Sequence, residues 1–279
     1  MSVSGTRTFF DRYAGIAFEA LRVPSPSGSA PNAVADAVAR MVETIERHAA
    51  EIAAVVVEPL VQGAGGMLTW SAADLAEIRR ACDDAGVFLV ADEVFTGFGR
   101  TGTMFACEQA SITPDFLCLS KGLTGGNLPF AVTMTTSRVF DGFRGAWDRT
   151  FWYGHSYCGS ALGCAAANAV LDAFELDDVL AKAQPKMARM QAAFADLGRY
   201  GAVEDVRGVG MVAAVQLGRR ANYGDDVGWR VARAALSRGL FIRPLGNVVY
   251  LCPALTISDS ELDRALAILD DSLRDTVAG

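Results

Sequence analysis

Three apolar runs in this chain end in polar residues whose types could together perform amine chemistry. Glu58 follows IAAVVV, Asp92 and Glu93 follow VFLVA, and Ser120 and Lys121 follow DFLCL. In open α/β sheets, ligands bind beyond the carboxyl ends of the strands, so these positions are the ones to examine. A lysine amine can form an imine with an aldehyde, and a carboxylate can keep a pyridine nitrogen protonated. A cofactor that acts as an electron sink needs both. With its ring protonated, the electron pair left at a substrate's α-carbon delocalises, and the freed amine can move the proton between that carbon and the cofactor. That chemistry is transamination. Taken one at a time, the residues have blander readings. An acid after a buried strand is commonly a helix cap or turn former, and a lysine is commonly a solvated surface residue. Lys121 is less ordinary, because apolar CLS precedes it and a glycine-rich loop follows it. Spacing and composition point to this cofactor chemistry without fixing it.

The elements that must position these residues can be read from the pattern. LRVPSPSGSAP leaves the first thirty residues irregular, and Pro31 is expected to open a helix through about Ala50. IAAVVV then reads as a buried strand, Gly63, Gly65 and Gly66 turn the chain, and Ser71 with Asp74 forms a capping box for a helix ending at Gly86. VFLVA is the next strand, completing a βαβ unit. After TGFGRTG and a short helical piece at MFACEQA, two strand-like runs, DFLCLS and FAVTMTT, flank the loop KGLTGGNLP. Apolar runs alternating with helices predict an α/β fold with a large doubly wound domain. Two helices are expected between about Gly159 and Leu197. Beyond Arg199, the short runs AVEDV, MVAAVQL, LFIRP and VVYLCP mix with helices at about 225–238 and 258–275, the last opened by Ser258 and Glu261. This texture predicts a small α+β domain, with the division at 1–175 and 176–279.

Composition narrows the partners. The 279 residues are 51% apolar, enough for a substantial core, and acidic residues outnumber basic ones by 32 to 25. No basic stripe forms, so nucleic acid is not an expected partner; small molecules or other protein chains are. The longest apolar stretches fall short of a membrane span and MSVSGTRTFF lacks a signal-peptide core, so a cytoplasmic location is expected. Cys82, Cys107, Cys118, Cys158, Cys164 and Cys252 contain no CxxC pair and are expected to be buried thiols in a reducing compartment. Two histidines make a His-rich metal site unexpected, and no metal is predicted.

The strings EPLVQGAGG, ADEVFTGFGRTG and PDFLCLSKGLTGG closely resemble the class III aminotransferases, which are fold-type I pyridoxal-phosphate enzymes. QGAGGM, FACEQA, CLSKGLTGG, GCAAANAVL and IRPLGNVVYL are similar to the branch of that family that serves biotin synthesis. The resemblance covers essentially the whole chain. It implies pyridoxal 5′-phosphate as cofactor, with Lys121 as the imine-forming lysine, Asp92 on the pyridine nitrogen and Val94 against the ring. In YGHSYCG it implies Gly154 at the substrate and His155 with Ser156 at the cofactor phosphate, reached across a homodimer interface; a hydroxyl and backbone N–H groups beside a helix start suit a phosphate. It implies Arg243 as the receptor of the keto substrate's carboxylate, a task that suits a guanidinium fork. Tyr250 could line the same pocket or sit in the core with its hydroxyl at the rim, and Glu58 could orient the site or merely close a turn before Pro59. The activity implied is transfer of an amine from S-adenosylmethionine to 8-amino-7-oxononanoate. The alternatives are another class III aminotransferase acting on an ω-amine, or a fragment that keeps the fold without turnover.

Two departures from the family pattern carry expectations. Where members carry asparagine and proline after the phosphate segment, this chain reads Gly159, Ser160, Ala161 and Leu162, which predicts a looser helix start. MSVSG resembles a stretch deep within the family's large domain, so roughly the first third, with its glycine-serine phosphate loop and ring-stacking aromatic residue, has no counterpart here. Exposed apolar surface and unpaired sheet edges are the expected consequences, and with them poor solubility or poor cofactor retention for this polypeptide alone.

Overall fold

The computed structural model describes residues 2–5, 11–26, 33–218 and 222–277. The chain opens with a 3-10 turn at Asp11–Ile16, and the first long helix, α1, spans Ala33–Arg47. Its expected opening at Pro31 lies outside the described residues. IAAVVV supplies β1 (Ala54–Val57), and a two-stranded hairpin, β2 (Val61–Gln62) with β3 (Leu68–Thr69), carries the glycine turn. Helix α2 (Ala72–Ala85) begins and ends as its sequence predicts. Asp74 N–H donates to Ser71 Oγ, Ser71 N–H donates to Asp74, and Gly86 closes the helix in the left-handed conformation at φ 70°. β4 (Phe88–Asp92), the short helix α3 (Ala106–Gln109), β5 (Phe116–Leu119), β6 (Val132–Thr135) and the short helix α4 (Ser137–Gly142) follow.

These strands form a four-stranded sheet in the order β1-β4-β5-β6. β1, β4 and β5 run parallel, as continuous apolar runs joined by crossovers should. β6 runs antiparallel to β5 at the sheet edge. Beneath the sheet, α1 contributes Val38, Met41 and Ile45 and α2 contributes Leu75, Ile78 and Cys82 to one apolar cluster with Leu89 and Ala91.

Two long helices, α5 (Ala161–Leu176) and α6 (Val179–Leu197), lead to a second, antiparallel sheet of β7 (Val203–Val209), β8 (Val212–Leu217) and β9 (Val248–Leu251). Helices α7 (Val227–Ser237) and α8 (Asp259–Val277) pack with it. The Ser258–Glu261 capping box at the start of α8 is present, with Ser258 N–H donating to Glu261 and Glu261 N–H donating to Ser258 Oγ. Every residue of β8 is buried, and the strand's period of two divides its side chains between two cores. Val212 and Ala214 join the first apolar cluster; Ala213, Val215 and Leu217 join a second with α6, α7 and α8.

Several expectations change. LFIRP forms no strand: Leu240–Pro244 stays outside the ladder, and Pro244 has no N–H to give it. The start of α5 is not loosened, because Ser160 Oγ accepts a hydrogen bond from Gly163 N–H at 3.2 Å and caps the helix. Of the six thiols, Cys82 and Cys107 are buried and Cys118 and Cys252 half-buried, but Cys158 and Cys164 are exposed. No helix among the described residues is long and apolar enough to cross a membrane.

Candidate active site

Asp92 ends β4 half-buried, and its Oδ1 accepts a hydrogen bond from Val94 N–H at 3.1 Å. Its neighbour Glu93 is fully buried and points the other way. The Glu93 carboxylate accepts from Ala106 N–H at 2.7 Å and Cys107 N–H at 2.9 Å, and Glu93 N–H donates to Cys118 O at 2.9 Å. Burial pushes the Glu93 carboxyl above the usual range, against the pull of those N–H groups. Glu93 thus anchors the turn that follows Asp92 to the start of α3 and to β5.

Asp92 is paired with Cys118 across β4 and β5, so Lys121, three residues further on, leaves the sheet from the adjoining strand end. Lys121 opens a 3-10 turn over Lys121–Thr124 and has φ 46°, a left-handed conformation that costs a non-glycine residue energy and is met at functional positions. Its Nζ lies 5.3 Å from the centroid of the Phe95 ring. Ser120 Oγ donates to Phe130 O at 2.7 Å and fastens the strand end just before it.

Glu58 reports the convergence of these groups. Its Oε2 accepts from Gly63 N–H at 2.9 Å. Burial raises its carboxyl above the ordinary range, the Gly63 bond lowers it, the charge of Asp92 raises it and the charge of Lys121 lowers it. Both an amine and a second carboxylate therefore act on one half-buried acid. Cys252, just beyond β9, also feels the charges of Arg100 and Lys121, though burial dominates and lifts its thiol. Arg100 holds this side of the site together by donating to Met211 O at 3.2 Å and Pro253 O at 2.7 Å.

Arg243, Tyr250 and Tyr223 lie within electrostatic reach of one another. Burial raises the Tyr223 phenol; Tyr250 and Glu58 add to the rise and Arg243 opposes it. Tyr223 also donates to Ala64 O in the glycine turn. Sequence reasoning passed over Tyr223 because ANYGDD reads only as a loop. It is fixed by Asn222, whose N–H donates to Asn247 Oδ1 at 2.7 Å. Gly246, at φ 62°, permits this, since a Cβ there would lie 1.7 Å from Asn222 O. Phe95, Arg100 and Cys252 were likewise missed, lying inside strings that read as turn or core.

Gly154, His155 and Ser156 are not brought into contact with these groups. All three are exposed, and His155 is engaged locally, its Nδ1 accepting from Tyr157 N–H at 3.1 Å. No group of three or more metal-binding side chains gathers among the described residues.

A parallel-sheet α/β scaffold with a lysine and a carboxylate at adjoining strand ends defines a class, and comparison with known proteins gives it a family. The chain belongs to the class-III aminotransferase family, which it matches over residues 1–273. It is 43% identical over 278 residues to the adenosylmethionine-8-amino-7-oxononanoate aminotransferase of Nitratidesulfovibrio vulgaris, covering 94% of this chain and 51% of that one. It is 39% identical over 295 residues to the protein of the same name from Geobacter sulfurreducens, covering 100% of this chain and 65% of that one. Among solved structures, the adenosylmethionine-8-amino-7-oxononanoate aminotransferase of Methanocaldococcus jannaschii superposes with a TM-score of 0.92 at 33% identity, over 99% of this chain and 64% of that one. An amine transaminase from an uncultivated Pseudomonas species, in its PLP-bound form, gives 0.88 at 31% identity, over 99% and 66%. The fold is thus the α/β fold of these transaminases, in part. The chain spans about half to two thirds of the length of the curated relatives it matches.

Proposed function

We propose that this chain carries the ring-binding side of a pyridoxal 5′-phosphate aminotransferase site. The observation that carries the reading is that Asp92 and Lys121 leave the sheet from the adjoining ends of the paired strands β4 and β5. The chain has three lysines, and the other two are poor candidates. Lys186 is buried, with its ammonium donating to Leu255 O at 2.7 Å and Ile257 O at 2.9 Å, and Lys182 lies within α6 rather than at a strand end. The donor set fits the ring end of the cofactor: an amine for its aldehyde, a carboxylate for its pyridine nitrogen and Val94 beside that carboxylate for the ring face.

When bound, pyridoxal phosphate supplies the electron sink that makes a substrate's α-proton acidic. Asp92 keeps the ring nitrogen protonated. Lys121, as a free amine, takes the α-proton and returns it. Arg243 receives a substrate carboxylate, and Tyr250 and Tyr223 wall the same space. In the net exchange one molecule gives up its amine and gains a carbonyl oxygen, while the other does the reverse. The names of the relatives favour S-adenosylmethionine as donor and 8-amino-7-oxononanoate as acceptor, as in biotin synthesis. The likeness to an amine transaminase keeps a second reading open, transfer from another ω-amine, and a comparison of donors separates the two.

Gly154, His155 and Ser156 serve a phosphate and substrate only if a second copy brings them there, so a homodimer belongs to this reading. So does the division into residues 1–175 and 176–279, supported by the four-stranded sheet on one side of it and the three-stranded sheet on the other. A cytoplasmic location goes with it, supported by six free thiols.

The test is to add pyridoxal phosphate, reduce with borohydride and map the modified peptide. Label on Lys121 is expected. Label confined to Lys182 or Lys186 overturns the assignment.

A further inference from the structure

Phe95 lies on the turn that begins at Asp92, and among the described residues its ring face is what the Lys121 ammonium meets, at 5.3 Å from the centroid. The backbone of this turn is well fixed. Glu93 ties it to α3 and β5, and Gly97 N–H closes it by donating to Glu93 O at 3.0 Å. The Phe95 ring is half-buried against the core cluster that includes Leu89 and Ala91. It rests against Gly63, where a Cβ would stand 3.2 Å from Phe95 Cδ1 and 3.4 Å from Cγ. Gly63 is itself held by Glu58. The ring therefore has a floor, a fixed root and little freedom to leave Lys121.

We propose that Phe95 is a positioning residue for Lys121, its ring face restraining the ammonium in front of the strand ends without engaging it in a hydrogen bond. At 5.3 Å from the centroid, Nζ is within the range in which the ring quadrupole attracts a cation. A carboxylate in the same place would hold the amine by its protons and keep it charged. A ring face attracts it more weakly, leaving its lone pair available once the proton departs. The same short turn then carries both the Asp92 carboxylate and the restraint on Lys121, so one rigid segment sets the spacing between them. The charged and titratable groups that face Lys121 are Glu58 from the end of β1, Asp92 from β4 and Cys252 from the end of β9, where Arg100 also acts.

The inference rests on Lys121 being the site amine, but its test does not use the cofactor. The protein is treated with formaldehyde and cyanoborohydride over a range of pH, and methylation of Lys121 is read relative to exposed Lys182. Buried Lys186 must stay protected, which reports that the fold is intact. Phe95→Leu is expected to raise the Lys121 to Lys182 ratio at neutral pH about three-fold, because the amine is no longer restrained against the ring face. Phe95→Tyr, which keeps a ring, is expected to behave as the wild type. Phe95→Met, which keeps volume without a ring, is expected to follow Phe95→Leu and serves if the leucine variant does not fold. An unchanged ratio in a folded leucine or methionine variant overturns the inference, as does a tyrosine variant that behaves like leucine. Failure of pyridoxal phosphate to label Lys121 would instead count against the cofactor reading and leave these ratios intact.

Discussion

Asp92 and Cys118 stand opposite one another in the parallel pairing of β4 with β5, so Lys121 leaves the sheet from the strand adjoining Asp92, three residues beyond its level. Neighbouring strands lie about 4.8 Å apart, which is the scale on which groups at two adjoining ends can address one small ring. If Asp92 serves the ring nitrogen, its charge matters and its size does not. Asp92→Asn is expected to lower turnover of the loaded protein at least ~100-fold, the order of a lost general acid–base contribution. Borohydride labelling of Lys121 should persist, since the amine itself is untouched. Measured turnover close to that of the wild type would remove Asp92 from the mechanism.

The parts of this site legible in the sequence are those fixed by burial. IAAVVV, VFLVA and DFLCL are continuous apolar runs because parallel strands are covered on both faces, and a polar residue ending such a run marks the ligand edge. Direction is another matter. FAVTMTT has the composition of a strand, yet β6 runs antiparallel at the edge with Thr133, Met134 and Thr135 exposed, and no residue in it states which way it pairs. LFIRP has apolar content but joins no ladder. Tyr223 was not legible at all, because its place depends on Asn222 reaching Asn247 across 25 residues and on Gly246 leaving room. Long-range hydrogen bonds of this kind have no local pattern.

A separate device fixes the sheet to its helix and gives a pH dependence. Arg79 Nη1 donates to Asp115 Oδ2 at 2.8 Å and Leu89 N–H donates to the same oxygen at 2.9 Å, both in buried positions. This joins α2, β4 and the start of β5. Burial raises the Asp115 carboxyl, but the Leu89 N–H and the Arg79 guanidinium outweigh it and hold the group below the ordinary aspartate value. A carboxyl depressed on folding stabilises the native state above its unfolded value, about pH 4, and loses that contribution as pH falls through its folded value. Asp115→Ala is therefore expected to cost about 2 kcal/mol at neutral pH, because it removes the buried partner of the Arg79 guanidinium and leaves it only the exposed Asp83. In urea unfolding, the gap between wild type and variant should narrow below about pH 4. A gap that is independent of pH would mean that the ion pair is not its source.

The segment that carries Gly154, His155 and Ser156 is where assembly is expected. Phe143, Trp147, Phe151, Trp152, Tyr153 and Tyr157 are all exposed there, Trp147 at 78% and Tyr157 at 83%. The rings pack on one another, Phe143 with Phe151 at 5.2 Å and Trp147 with Trp152 at 4.3 Å between centroids, which leaves an ordered aromatic surface facing solvent. Contiguous apolar patches of this kind mark interaction sites, and buried aromatic anchors dominate the energetics of interfaces. A second copy is the occupant that would also give exposed Gly154, His155 and Ser156 the role proposed for them. Sedimentation at rising concentration is expected to show a dimer, and the double change Trp147→Asp with Trp152→Asp is expected to weaken it at least ~10-fold, in keeping with the loss of interface anchors. If His155 and Ser156 of the other copy hold the phosphate as proposed, the same variant should retain borohydride labelling at Lys121 from cofactor added in excess, while losing affinity for it. A wild-type chain that stays monomeric at every concentration would remove both the dimer and the proposed role of His155 and Ser156.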